Sequence, residues 1–170
     1  TMTQKFKTLA DIIALAEFAH RNQTDQAGMP YIDHPRRVMQ AVQAQNAPPY
    51  VQMAAILHDV TEDTAFTCDM LLALGVPEPA VEIIRLVDRD ASQTLAIGIL
   101  QNAGGKGNKL SQDDYDTFYY ECIRENPGAL MVKLADIGDN TQEYRLAYLS
   151  EARQTHLRNK YDKAKKILLG

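Results

Sequence analysis

From Tyr50 to Val60 the chain carries Met53, Ala54, Ile56 and Leu57 in a stretch that is apolar on nearly every side of a helix, with His58-Asp59 near its end. A helix of that kind has no face to give to water, so other elements must enclose it. Pro48 and Pro49 give it a start, because proline suits the first helical turn. The rest of the sequence supplies the enclosing elements. Leu9, Ile12, Ile13, Ala16 and Ala19 form one stripe, which predicts a first helix over about Thr8 to Arg21. Asp33 is placed to cap a second, with Pro35 in its first turn and Val38, Met39 and Val42 on one face.

Further along, Thr67 to Leu74 reads as a short helix ended by Gly75, and Glu78 to Val87 as another. Residues 91–110 are harder: Leu95 to Leu100 fits either a helix or part of a long excursion, and Ala103 to Lys109 (AGGKGNK) is not regular structure. Ser111 caps a helix reaching about Glu125, Asn126-Pro127-Gly128 ends it, and helical patterns follow over Ala129 to Tyr144 and Glu151 to Leu169. Phe118 is assigned to the core, and Tyr115, Tyr119 and Tyr120 are divided between core and pocket wall. No alternating strand or internal repeat is visible. The expected class is all-α, with residues 1–170 forming a single domain.

Composition removes several functions. The 170 residues carry a formal charge of −4, which argues against general nucleic-acid binding. No apolar run approaches the roughly 18–20 residues that span a bilayer, and no secretory signal is visible. Thr1 ahead of Met2 reads as an addition to the natural start. Cys68 and Cys122 lie far apart and outside any CxxC pattern, which fits reduced thiols in a cytoplasmic protein.

The candidate chemistry lies in four residues: His34 in Tyr-Ile-Asp-His-Pro, His58 and Asp59 closing the buried helix, and Asp136 after Met-Val-Lys-Leu-Ala. Charged groups in apolar settings are expensive unless compensated. A divalent cation compensates them, and imidazole with carboxylate suits Mn²⁺, Fe²⁺ or Zn²⁺. Glu62 and Asp63 stand three and four positions beyond Asp59, so a continuing helical turn returns one of them to the same face, where a carboxylate can take a proton from water. A solvated acidic turn is the plainer alternative. Lys133 can offset the acidity of the site, meet a phosphate or form a surface ion pair; Tyr31 can line a pocket or pack in the core.

These residues lie in blocks with a family resemblance. Ala19-His20-x-x-Gln23, Gly28 to Pro35 (GMPYIDHP), Ala54 to Thr64 (AAILHDVTEDT), Val132 to Asp136 (VKLAD) and Asp139-Asn140 resemble the HD-superfamily metal phosphohydrolases. More narrowly, they resemble the hydrolase domain of the RelA/SpoT family in its stand-alone small alarmone hydrolase form. The resemblance covers about residues 9–145 and implies an HD-type helical bundle with its metal site among the central helices. It implies His34, His58, Asp59 and Asp136 as ligands of one divalent metal, usually Mn²⁺, with Fe²⁺, Zn²⁺ or Co²⁺ as alternatives. It also implies Glu62 and Asp63 as the pair that orients and activates the attacking water, and Asn140 near the substrate ribose and phosphate. The implied reaction removes the 3′-pyrophosphate of (p)ppGpp; 170 residues leave no room for the synthetase domain of the long bifunctional enzymes.

Two departures qualify it. Where the family carries an Arg-Lys type pair that packs on guanine, this chain has Asp25 and Gln26, so the base preference is open; Arg21, Arg36 or Arg37 could compensate. The span from Val87 to Tyr119 is long, and its Gly-rich stretch carries two lysines without the order of a P-loop. The expected partner is a small-molecule nucleotide, with no membrane, and the chain is expected as a monomer or small homo-oligomer. Alternatives are an HD phosphohydrolase for another nucleotide or phosphorylated cofactor, or a nucleotide-sensing, antitoxin-like module without turnover.

Overall fold

Helix follows helix, as the periodicity requires. The computed structural model describes residues 8–103 and 110–170. In order, the elements are α1 (Leu9–Ala19), α2 (Asp33–Ala44), α3 (Pro49–Leu57), α4 (Val60–Asp63), α5 (Cys68–Ala73), α6 (Glu78–Val87), α7 (Arg89–Asn102), α8 (Gln112–Arg124), α9 (Pro127–Asn140), α10 (Glu143–Leu146) and α11 (Glu151–Leu169). Among the described residues, β structure is limited to one isolated bridge, Thr24 to Pro30.

The apolar helix α3 is central, packed by α1, α2, α6 and α9. Ala54, Ala55, Ile56 and Leu57 are fully buried with Ile12, Val38, Ile84, Val132 and Ile137. It stops at Leu57 rather than Val60. The His58 ring Nδ1 lies 2.7 Å from the Ala55 carbonyl, while the backbone amide of His58 reaches the same oxygen only at 3.5 Å. The side chain thus takes over a helix-end acceptor, the chain turns, and α4 begins a new direction. Thr61 Oγ1 donates to Asp88 Oδ2 at 2.8 Å, tying α4 to the start of α7.

Other helix ends follow their residues. Thr8 and Ser111 each form capping boxes, with Asp11 and Asp114. Asp33 does not cap α2: it is the first helical residue after Ile32, and its carboxylate faces the cavity described below. Asn126-Pro127-Gly128 both ends α8 and opens α9, because Asn126 accepts from the Ala129 amide and Pro127 occupies the first turn. The helix expected to Tyr144 breaks after Asn140, and α10 resumes at Glu143.

Residues 91–102 belong to α7, capped by Asp88. Their pattern was ambiguous because Leu95, Ile97 and Ile99 are exposed, and the helix buries only Ser92 and Ala96. Ala103 ends α7; the rest of the Gly-rich stretch, 104–109, lies outside the described residues. Phe118 is half-buried rather than in the core, where Tyr119 and Tyr120 sit. The final helix α11 packs on α8 and α9 of its own chain through Ala164 and Leu168. Both cysteines are free and half-buried. Among the described residues no helix is long and apolar enough to cross a membrane.

Gly128 marks the tightest approach of α9 to the core. A Cβ there would stand 2.6 Å from Ile83 Cδ1 and 3.1 Å from Val51 Cγ2, both fully enclosed side chains. Gly128→Val should therefore cost about 1–3 kcal/mol through overpacking, measured by urea denaturation; an unchanged midpoint would show that α9 can move away freely.

Candidate metal centre

Three segments meet at the end of α3. His34 is the second residue of α2, His58 and Asp59 form the turn between α3 and α4, and Asp136 lies on α9. The His34 Nε2 is 3.0 Å from Asp136 Oδ1 and 3.6 Å from Asp59 Oδ2. The His58 Nε2 is 3.1 Å from Asp59 Oδ2 and 3.4 Å from Asp136 Oδ1. Donor atoms of His34, His58 and Asp59 all lie within 4.8 Å of one another.

The far sides of the rings fix what these atoms are. Acceptors on the far sides assign Nδ1–H to both rings: the Ala55 carbonyl lies 2.7 Å from His58 Nδ1 and Asp139 Oδ2 lies 2.6 Å from His34 Nδ1, with Arg145 Nη1 also 2.8 Å from His34 Nδ1. In neutral rings each Nε2 is then a bare lone pair. The His58 Nε2 is buried and has no hydrogen-bond partner. Two lone pairs facing two carboxylate oxygens repel unless a cation lies among them. Ligand atoms at right angles on an ion with ~2.1 Å bonds stand about 3.0 Å apart, so the spacing suits a small divalent ion. The donor set, two imidazoles and two carboxylates, suits Mn²⁺, Fe²⁺ or Zn²⁺.

Protons are the competing cations. Burial disfavours charge on both rings, but Asp136 and Asp139 raise the pKa of His34, and Asp59 with Asp136 raises that of His58. Burial would likewise raise Asp59 and Asp136; the charge of His58 brings Asp59 down to about 2, and Lys133 holds Asp136 well below the usual range. Metal binding must therefore displace protons.

A second ring of groups holds the cluster. The buried Lys133 Nζ donates to Asp136 Oδ2 at 2.9 Å, and Asn140 Nδ2 to Asp136 Oδ1 at 3.0 Å. Lys133, Asp136 and Asn140 share one face of α9 through helical spacing. Tyr31 Oη donates to Asp59 Oδ2 at 2.6 Å, and burial with this contact keeps the phenol protonated. Asp139 also accepts from Arg37 and Arg145; nothing in the sequence pattern singled out that network.

Glu62 and Asp63 form the last residues of α4. Glu62 stands at the mouth of a small cleft of about 40 Å³ lined by His58, Asp59, Lys133, Asp136, Arg89 and Tyr119. Its Oε1 accepts from the Arg89 amide at 2.7 Å, in the first turn of α7. Partial burial, with Asp59 and Asp88 nearby, lifts its carboxyl to about 7 against that bond. Burial and Asp59 also raise Asp63. The Asp63 carbonyl accepts from Gln23, which also bonds the ring of His20, so the 20–31 loop braces α4.

On the other side opens a cavity of about 570 Å³. Tyr31, Arg37, Asn140, Tyr144, Arg145, Tyr148, Arg153 and Tyr161 line it, and Tyr161 Oη stands 3.5 Å from Asn140 Nδ2. Tyr144, Tyr148, Arg153 and Tyr161 were missed because the first three are exposed and carry the polar, aromatic pattern of a surface, and Tyr161 is half-buried. Asp25 and Gln26 sit at its rim. Asp25 Oδ1 accepts from the amides of Ala27 and Met29, both at 2.9 Å, so this carboxylate shapes the loop. Arg21 is not brought to either opening: it is exposed, donates to the Phe18 carbonyl and stacks on that ring.

Comparison with known proteins agrees with this architecture. No family model matches the chain. It is 26% identical over 152 residues to a GTP pyrophosphokinase of Streptomyces coelicolor and 27% identical over 152 residues to one of Streptomyces antibioticus. Each match covers 89% of this chain but 16% of the relative's length. The fold matches a solved structure of a metazoan ortholog of SpoT, described as hydrolysing ppGpp and playing a role in starvation responses. That match has a TM-score of 0.73 and 22% identity, and covers 100% of this chain and 88% of the other. The fold is thus the all-α fold of that SpoT ortholog, and the sequence resembles part of the two GTP pyrophosphokinases.

If the cluster holds a divalent ion, Mn²⁺ or Zn²⁺ at a thousandfold its Kd should stabilise the chain by about 4 kcal/mol, read as a rise in Tm. His58→Ala and Asp59→Ala should each abolish the rise. A Tm indifferent to every divalent ion would remove the metal assignment.

Proposed function

We propose that this chain is a divalent-metal-dependent phosphohydrolase of nucleotides that removes the 3′-pyrophosphate of (p)ppGpp in the cytoplasm, with residues 1–170 forming its hydrolase domain. The observation that carries the reading is the orphaned, buried Nε2 of His58, set among the His34 Nε2 and two carboxylates beside a large cavity. The SpoT-like fold and the likeness to GTP pyrophosphokinases support it.

His34, His58, Asp59 and Asp136 would hold the ion, with Mn²⁺ as the preferred metal. Bound there, it would supply an acidified water and neutralise charge on the attacked phosphoryl group. The chain's own groups do the rest. Glu62, its carboxyl pushed up to about 7 by burial, would accept a proton near neutral pH, and Asp63, in the same turn, would help orient the water. Lys133 stays charged beside Asp136 and faces the same cleft. Tyr31 and Asn140 stand where the cluster meets the large cavity, suited to a ribose and its phosphate. Tyr144, Tyr148 and Tyr161 offer ring faces to a base, and Arg37, Arg145 and Arg153 offer guanidinium groups to the 5′-phosphates.

The pyrophosphate has room on the opposite side. Arg89 lines the small cleft and also a groove of about 480 Å³ with His156 and Lys160. Burial and the nearby Arg89 and Lys133 lower the pKa of Lys160 against the pull of Asp116, which lines the same groove and pairs with Arg89 at 3.1 Å.

Asp25 and Gln26 at the cavity rim favour a second reading, in which the same centre acts on another nucleotide or a phosphorylated cofactor. Of the arginines that could replace the missing pair, Arg21 turns away, whereas Arg37 lines the same cavity but is held by Asp139. One experiment separates the readings: the Mn²⁺-loaded chain is offered ppGpp and a panel of nucleotides, and phosphate and pyrophosphate are scored separately. Pyrophosphate from ppGpp is the expected result. Product from another nucleotide instead would favour the second reading, and tight binding without any product would make the chain a sensing module.

Glu62→Gln should retain metal while slowing hydrolysis by about 10²–10⁴-fold. An unchanged rate would leave Glu62 with no more than its bond to the Arg89 amide.

A further inference from the structure

Asp139 has no part in the reaction described above, yet its carboxylate is crowded with donors. It is 4% exposed. Its Oδ1 accepts from Arg37 Nε at 2.7 Å. Its Oδ2 lies 2.6 Å from His34 Nδ1, to which the carboxylate assigns the proton, and accepts from Arg145 Nη1 at 2.7 Å and Arg37 Nη2 at 3.2 Å; the same Arg145 Nη1 stands 2.8 Å from His34 Nδ1 and donates to Asn140 Oδ1 at 2.9 Å. The arginines are not buried with it: their side chains are 32% and 19% exposed and form part of the wall of the large cavity. One carboxylate therefore joins a metal-facing imidazole to two cations that face the space proposed for the nucleotide.

We infer that Asp139 is a positioning residue for the metal centre, holding His34 with its Nε2 lone pair aimed at His58, Asp59 and Asp136, and that Arg37 and Arg145 adjust its hold from the cavity wall. The physical reason is competition for one acceptor. A carboxylate on the far nitrogen of a ligating histidine fixes the ring and makes the near nitrogen a better donor. Arg145 shares that oxygen and draws on its charge. An anion docked on Arg145 relieves the competition and leaves more of Asp139 to His34. Anion binding in the cavity and cation binding at the cluster are thereby linked, and such a linkage is reciprocal.

The inference rests on the metal reading above, and its test separates the two. Zn²⁺ affinity of the full chain is measured by competition with a chromophoric chelator, with and without inorganic sulfate as the anion. Asp139→Asn should weaken Zn²⁺ binding about 10–100-fold. Arg145→Met should leave it unchanged or tighter, and should remove a tightening by sulfate of about fivefold expected in the parent. A general loosening of the site would move both variants in the same direction.

If the parent binds Zn²⁺ and Asp139→Asn binds it equally well, this inference alone falls. If Arg145→Met weakens binding as much as Asp139→Asn does, the network is scaffolding and the inference falls as well. If the parent binds no Zn²⁺, the metal reading and the inference fall together. Should Asp139→Asn not fold, the sulfate response of the parent against Arg145→Met decides, and equal responses overturn the inference.

Discussion

Four hydrogen-bond acceptors pointing at one another are the constraint around which this molecule is arranged. The Nε2 atoms of His34 and His58 face oxygens of Asp59 and Asp136 across 3.0 to 3.6 Å. Such an arrangement is unfavourable in a buried setting without positive charge. Much of the surrounding structure supplies that charge or prevents the acceptors from turning away. Lys133 is a buried cation against Asp136, Tyr31 pins Asp59, and the carbonyl of Ala55 pins His58. The early end of α3 belongs to the same constraint: the helix gives up a backbone bond so that its last carbonyls can orient an imidazole.

The fold was legible because burial writes itself into helical spacing. The stripe of α1, the all-round apolar α3 and the capping serine of α8 each reported an element correctly. Legibility failed where apolar residues face outward. In α7, Leu95, Ile97 and Ile99 are exposed, so the periodicity that normally reports a core reported none. The α9–α10 break at Thr141 was hidden for a different reason: two consecutive helices on one side of the core continue a single periodic pattern.

The candidate centre was readable to a similar depth. His34, His58, Asp59 and Asp136 stand out as ionisable groups in apolar surroundings, and the structure brings them together. Asp139 stands out only as part of a motif block, Arg37 only as a spare cation and Arg145 not at all, because an arginine on a helix looks like an ordinary solvated residue until its carboxylate partner is found 102 or 6 positions away. The tyrosines of the large cavity come from α10, α11 and the turn between them, and no local pattern distinguishes a cavity wall from a surface.

The lining of that cavity shows how a residue that departs from the resembled pattern is used locally. Asp25 replaces a cation, and by charge alone it should repel a phosphate-rich ligand. Its carboxylate, however, is committed to the amides of Ala27 and Met29, which closes the loop between Thr24 and Pro30 and seats Tyr31 over Asp59. The positive charge of the cavity comes instead from Arg37, Arg145 and Arg153 on the opposite helices. An anion entering the cavity would meet these guanidinium groups on α2, α10 and α11 beside the aromatic faces of Tyr144, Tyr148 and Tyr161.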